Sequence, residues 1–195
     1  SSIPKPEGPT PEHQPEGATT WVYPSEQQYY NAMRRKGWDA RESDVPVVVA
    51  IHNAVNEQGW TRVKEWEQLR GRVRNLFREG LHVMHSCHHQ GIAETSSPFA
   101  VGGDPMLEQF RGRPNDVSPK AWLKTNLLGY AAPFDRHDWI VRRGGGGAAG
   151  GGEGSVSARY VIDFYAGKPT PDKPVALHLD VRPALDSLDA AVLRV

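Results

Sequence analysis

Apolar and polar positions fall into two regimes, a helical first part and an alternating last third. In WVYPSEQQYYNAMRRKGW (21–38), Pro24 ends the extended approach, Ser25 with Gln28 makes a capping-box pair, and Gly37 follows Arg34-Arg35-Lys36. These signals predict a helix over 26–36 that presents Tyr29, Tyr30 and Met33 on adjacent faces. Asp44 precedes VPVVVAIHNAVNEQGW, where Pro46 suits a first helical turn, although 45–51 alone fits a buried strand equally well. Beyond Asn56, a candidate cap, Trp60, Val63, Trp66, Leu69 and Val73 recur every three or four residues as one apolar helix face. Arg62, Lys64, Arg70, Arg72, Arg74 and Arg78 surround that stripe and read as a solvated basic face rather than an anion site.

The pattern is irregular over 79–103. Ser118-Pro119 then supplies an N-cap with proline at the first helical position, and Gly129 follows KAWLKTNLL, predicting a helix over 119–128. The period next changes to two. HDWIVRR (137–143), SARYVIDFYA (157–166) and VALHLDVRP (175–183) alternate and carry β-branched or aromatic residues, which predicts an antiparallel meander. A short helix over 183–193 closes the chain. The fold class is α+β, several helices packed with a small antiparallel β-meander in the C-terminal third.

Composition refines this division. Five of the 16 prolines precede Trp21 and eight of the 20 glycines lie between Gly144 and Gly154. Residues 1–20 therefore read as a flexible Pro-rich lead-in that includes a solvated His13, and 21–195 as a single domain with a Gly-rich loop at 144–154. Lys and Arg (23) balance Asp and Glu (23), so charge predicts no bulk attraction to nucleic acid or acidic lipid. No run approaches the roughly 18 to 20 apolar residues of a spanning helix. The lone Cys87 excludes an internal disulfide and a Cys-x-x-Cys pair, so any reacting thiols belong to another molecule.

Several residues are candidates for chemistry. HVMHSCHHQG (82–91) contains zinc-ligand types but no second ligand pair at a zinc spacing, and reads as an exposed loop. His52 emerges from an apolar run beside Asn53 and five residues before Glu57. Such an imidazole tends to stay neutral and able to ligate iron, with Asn or Glu fixing its tautomer, although a structural histidine is the plainer reading. His137, between Arg136 and Asp138, reads as part of an ion-paired turn, with acid/base chemistry as the alternative. The six tryptophans either fill a core or wall a slot for a planar ligand. No G-x-S-x-G or H-E-x-x-H motif supports a hydrolase.

Taken together, WVYPSEQQYYNAMRRKGW, IHNAVNEQGWTRVKEWE, RGRPNDVSPKA, LGYAAPFDRHDWIVRR, RYVIDFYAG and LDVRPALDSLDA resemble the successive blocks of the holocytochrome c synthase (cytochrome c haem lyase) family. The resemblance covers nearly all of residues 21–190. It implies a lyase that joins haem to apocytochrome c through thioethers between haem vinyl groups and a Cys-x-x-Cys-His segment. It also implies a mitochondrial intermembrane-space protein peripheral to the inner membrane. His52 matches the family's axial iron ligand and Glu57 the acidic residue shortly after it, the two catalytic positions. Trp21, Tyr23 and Glu26 match a block that contributes to the haem site, and Asn53 stands beside the ligand. Arg136 and Arg143 are expected either to pair with haem propionates or to form ion pairs with Asp135, Asp138 or Asp163. A non-catalytic haem-binding chaperone is the second functional class. The family's Cys-Pro motifs are absent from this chain, and the loop at 144–154 is inflated by Gly and Ala.

Overall fold

The structure, a computed structural model, describes residues 1–8, 11, 14–83, 103–113, 116–143, 157–171 and 176–194, without the side chains of 77–83, 188 and 189. His13, the His-rich segment beyond residue 83 and the loop at 144–154 lie outside the described residues. The chain divides into two compact units, Ser1–Thr61 and Arg62–Val195.

In the first unit, α1 (Glu26–Arg35) begins at the predicted capping box. Gln28 N–H donates to Ser25 Oγ at 3.3 Å, and Ser25 N–H to Gln28 Oε1 at 2.9 Å. Gly37, at φ +79°, takes the left-handed conformation that lets the chain leave the helix. The lead-in differs from the sequence expectation. Ile3 and Trp21 are buried, and Pro4 pairs with Thr20 in an antiparallel bridge flanked by Lys5 N–H to Thr19 O (2.8 Å) and Trp21 N–H to Ile3 O (2.9 Å). One buried apolar side chain and a backbone clasp thus tie residues 3–5 to residues 19–21.

The apolar run 45–51 is helical, not a strand, and it opens α2 (Val45–Val83), a single helix of 39 residues. Asn56 starts no second helix. Its side chain turns back within the helix to the His52 carbonyl (Nδ2–O 2.8 Å). The helix also runs into the segment whose pattern is irregular. Pro46 is tolerated because amides of the first turn have no partner within the helix.

The second unit is built on a four-stranded antiparallel sheet in the order β1 (Met106–Gly112), β2 (Asp135–Arg142), β3 (Ser157–Ala166) and β4 (Leu177–Pro183). The last three match the predicted meander. β1 is additional, and a register shift between Leu107 and Gln109 breaks the alternation that would have marked it. Leu107, Trp139, Val141, Tyr160 and Ile162 are fully buried in this unit. α3 (Pro119–Leu128) spans the predicted residues, with Ser118 Oγ accepting from Ala121 N–H at 3.1 Å and Gly129 in the left-handed conformation. α4 (Leu188–Val192) is shorter than the predicted closing helix.

Buried charge organises this unit. On α2, Trp66 Nε1 donates to Val181 O at 2.8 Å. One turn-face away, Glu67, 3% exposed, takes a core position next to Val63. Its carboxylate accepts a forked pair from Arg143 (2.8–3.0 Å), a bond from Arg70 Nε (3.1 Å) and one from Tyr160 Oη (2.6 Å). A second buried group joins Asp163, Arg182 and Ser118. Arg182 Nη2 lies 2.5 Å from Asp163 Oδ2 and 2.7 Å from Ser118 Oγ, so the α3 cap is tied to β3 and β4.

Burial tends to raise the Glu67 pKa, but hydrogen bonds and charge from Arg143, with Tyr160 and Arg70, outweigh it and hold the group below its ordinary 4.5. A depressed carboxyl pKa stabilises the fold fully above the ordinary value, and that stability is lost as pH falls through the folded value. Arg143→Ala should cost about 3 kcal/mol in urea unfolding near neutral pH by leaving a buried carboxylate short of its main partner. Glu67→Gln should flatten the acid limb of stability against pH; an unchanged limb would show that Glu67 does not carry it.

Candidate functional site

His52 lies on the second turn of α2, where helical spacing puts Asn56 on the same face, four residues on. The half-buried imidazole is held at both nitrogens. Nδ1 is 3.1 Å from Asn53 Oδ1 and Nε2 is 3.3 Å from Asn56 Nδ2. Asn53 Oδ1 can only accept and Asn56 Nδ2 can only donate, so the pattern fits one neutral tautomer, protonated at Nδ1 with a lone pair at Nε2. That lone pair is what a metal takes. Asn56 covers it while its second amide hydrogen stays on the His52 carbonyl.

Two tyrosines bring their rings to the imidazole. Tyr23, in the segment before α1, meets it edge-on at 6.2 Å between centroids, and Tyr29 of α1 at 5.2 Å. Tyr23 is anchored at its other end, with Oη donating to Glu57 Oε1 at 2.9 Å. Glu57 also accepts from the Ser2 amide at 2.9 Å and from the Ser2 hydroxyl in a short hydrogen bond. Burial pushes the Tyr23 hydroxyl pKa well up, and its bond to the Glu57 carboxylate adds to that, so the phenol stays protonated. For Glu57 partial burial acts upward, but the hydrogen bonds from Ser2 and Tyr23 prevail and hold the carboxyl below its usual range.

Of the residues singled out from sequence, His52, Asn53, Tyr23 and Glu57 thus come together. Trp21 is buried in the same unit, its amide on the Ile3 carbonyl. Glu26 is exposed in the first turn of α1, where its charge complements the helix N-terminus. Arg136 and Arg143 belong to the second unit. Arg136 bonds Asp138 Oδ1 at 3.2 and 3.3 Å, whereas Arg143 forks onto Glu67, an acid outside the three considered from sequence. His137 Nε2 is 3.2 Å from Asp135, and its ring packs against Phe164. The tryptophans divide: Trp21, Trp60 and Trp139 are buried, and Trp38 and Trp122 are exposed. Among the described residues no group of three His, Cys, Asp or Glu forms a metal cluster, and no helix is long and apolar enough to cross a membrane.

Sequence reasoning missed three members of the site. Asn56 was legible from its four-residue offset to His52, but its cap-like chemistry pointed to a helix start. The sequence puts Tyr29 on a helix face but gives no sign of what it meets, and Ser2 carries no local signal because its acceptor lies 55 residues away. Replacing Tyr23 by Phe removes one donor to Glu57. In a carboxyl-carbon NMR titration the Glu57 pKa should move up toward its ordinary value, and an unmoved value would contradict the arrangement.

Comparison with known proteins adds the family. The profile described as cytochrome c/c1 heme lyase matches residues 1–195. A putative holocytochrome-c1 synthase of Schizosaccharomyces pombe is 38% identical over 175 residues, covering 90% of this chain and 62% of the relative. The holocytochrome-c synthase of Saccharomyces cerevisiae is 36% identical over 203 residues, covering 98% of this chain and 62% of its own length. The holocytochrome c-type synthase of Homo sapiens is 37% identical over 175 residues, covering 87% and 51%. The chain therefore spans between half and two thirds of the length of these curated relatives. No solved structure matches it. With a profile match that runs its full length, the chain belongs to the cytochrome c/c1 haem lyase family.

Proposed function

We propose that this protein attaches haem covalently to apocytochrome c, the activity for which its relatives are named, with His52 Nε2 as an axial ligand of the haem iron. The observation that carries the reading is the pair of amide side chains at the two His52 ring nitrogens, Asn53 Oδ1 at Nδ1 and Asn56 Nδ2 at Nε2. A neutral imidazole with its Nδ1 proton engaged and its Nε2 lone pair facing a displaceable amide is a poised iron ligand. Tyr23 and Tyr29 flank the ring and give the site flat, apolar edges suited to a porphyrin. Glu57 acts through Tyr23 as a positioning residue, and Asn53 fixes the imidazole. Trp21 and Glu26 complete the haem-side segment.

Haem is a substrate here. In each thioether the sulfur of a Cys-x-x-Cys-His cysteine bonds to the α-carbon of a vinyl group, the vinyl double bond is lost, and the thiol hydrogen ends on the β-carbon. The addition is balanced without an added oxidant. The reacting form is the substrate's thiolate. If the substrate histidine takes the iron face opposite His52, the neighbouring cysteines are held against the vinyls, and orientation supplies the acceleration. This reading locates the protein in the mitochondrial intermembrane space, peripheral to the inner membrane. Arg136 and Arg143 serve the fold, since their guanidinium groups are engaged by Asp138 and Glu67.

Co-expression with apocytochrome c tests the proposal. Wild-type protein should yield haem that stays on the cytochrome in a denaturing gel, and His52→Ala should reduce that product by at least about a hundredfold, a small share of what positioning can provide. Haem bound to the wild-type protein without covalent product would identify a carrier instead.

A further inference from the structure

Helix α3 is turned inside out. A surface helix normally buries its apolar stripe and shows its polar side chains to water. α3 instead buries Ala121, keeps Lys120, Lys124 and Thr125 half-buried, and turns Trp122, Leu123 and Leu127 outward at 58%, 47% and 73% exposure. Positions 119, 122, 123, 126 and 127 form one continuous helical face, and its single polar member, Asn126, donates its side-chain amide to the Trp122 carbonyl at 2.9 Å. The face thus presents little unsatisfied polarity. The loop after the helix continues the character with exposed Tyr130 and Phe134.

The charges of this segment identify what it fits. The chain as a whole balances 23 basic against 23 acidic residues, yet residues 117–134 contain two lysines and neither Asp nor Glu. Lys120 and Lys124 stand at the edge of the apolar arc, reaching Asp180 at 2.8 and 3.7 Å while 41% and 36% of their side chains stay exposed. A convex apolar face with a Trp, a following Tyr and a lysine edge matches a bilayer surface: hydrocarbon accepts the leucines, the headgroup level suits Trp and Tyr, and anionic headgroups complement the lysines. A contiguous patch of this kind on a soluble surface marks an interaction site.

We propose that α3 and the loop to Phe134 dock this protein on an anionic phospholipid surface, with Trp122, Leu123 and Leu127 inserted below the headgroups. The proposal relies on the functional reading above only in putting the protein beside a membrane. Its test uses neither haem nor apocytochrome c, so its failure leaves the haem chemistry untouched, and loss of that chemistry leaves vesicle binding untouched.

The test is flotation of the full chain with vesicles of equal parts phosphatidylcholine and phosphatidylglycerol, beside pure phosphatidylcholine. Wild-type protein should float with the anionic vesicles and less with the neutral ones. The triple variant Trp122→Gln, Leu123→Gln, Leu127→Gln should lose at least about tenfold in partitioning, with circular dichroism and urea unfolding unchanged. Should that variant fail to fold, Trp122→Phe alone decides: lipid-borne quencher should dim wild-type tryptophan fluorescence more than that of the variant. Equal flotation of folded variant and wild type, equal quenching, or lipid-free dimerisation abolished by the triple variant would overturn the proposal, the last by assigning the face to a second copy of the chain.

Discussion

A carboxylate placed where a helix would ordinarily carry a leucine is the constraint around which the second unit is organised. Glu67 would be costly in the core without compensation. Arg143 at the end of β2, Tyr160 on β3 and Arg70 one turn on along α2 supply it, so helix and sheet are joined by directional bonds as well as apolar contact. The geometry has one good solution, because the guanidinium fork and the phenol must reach the same two oxygens. The Asp163, Arg182 and Ser118 group plays the same part for α3.

The first unit uses the same chemistry on a smaller scale. Glu57 is half-buried, and its hydrogen bonds from Ser2 and Tyr23 fasten the N-terminal clasp and the pre-helical segment to α2. The consequence falls on His52, five residues earlier on the same helix. Tyr23 is held at its hydroxyl, so its ring edge stays beside the imidazole, while Asn53 and Asn56 engage the two ring nitrogens. A side chain held at both ring nitrogens beforehand would lose little freedom on binding the proposed iron.

What was legible in the sequence follows from the distance over which each feature is determined. α1 and α3 were readable nearly to the residue, since Ser25 with Gln28, and Ser118 with Pro119 and Gly129, determine their helix ends through bonds a few residues long. The unbroken α2 was not. Asn56 has the chemistry of a cap, and its choice of the His52 carbonyl is visible only in three dimensions. β1 escaped because its bulge breaks the alternation, and Glu67 because Arg143 and Tyr160 lie 76 and 93 residues away. The clasp around Ile3 depends on a pairing across fifteen intervening positions of polar, Pro-rich chain. At the site, His52, Asn53, Glu57 and Tyr23 were identifiable as types in a pattern, but the way Tyr23 links Glu57 to the imidazole required the fold.

The proposed ligation of haem iron by His52 Nε2 is tested most directly by the absorption spectrum of the reduced, haem-loaded protein. Wild-type protein should show the spectrum of histidine-ligated haem, His52→Ala should lose it, and His52→Gly with added imidazole should recover it. An identical spectrum in wild type and His52→Ala, both folded and both carrying haem, would contradict the account.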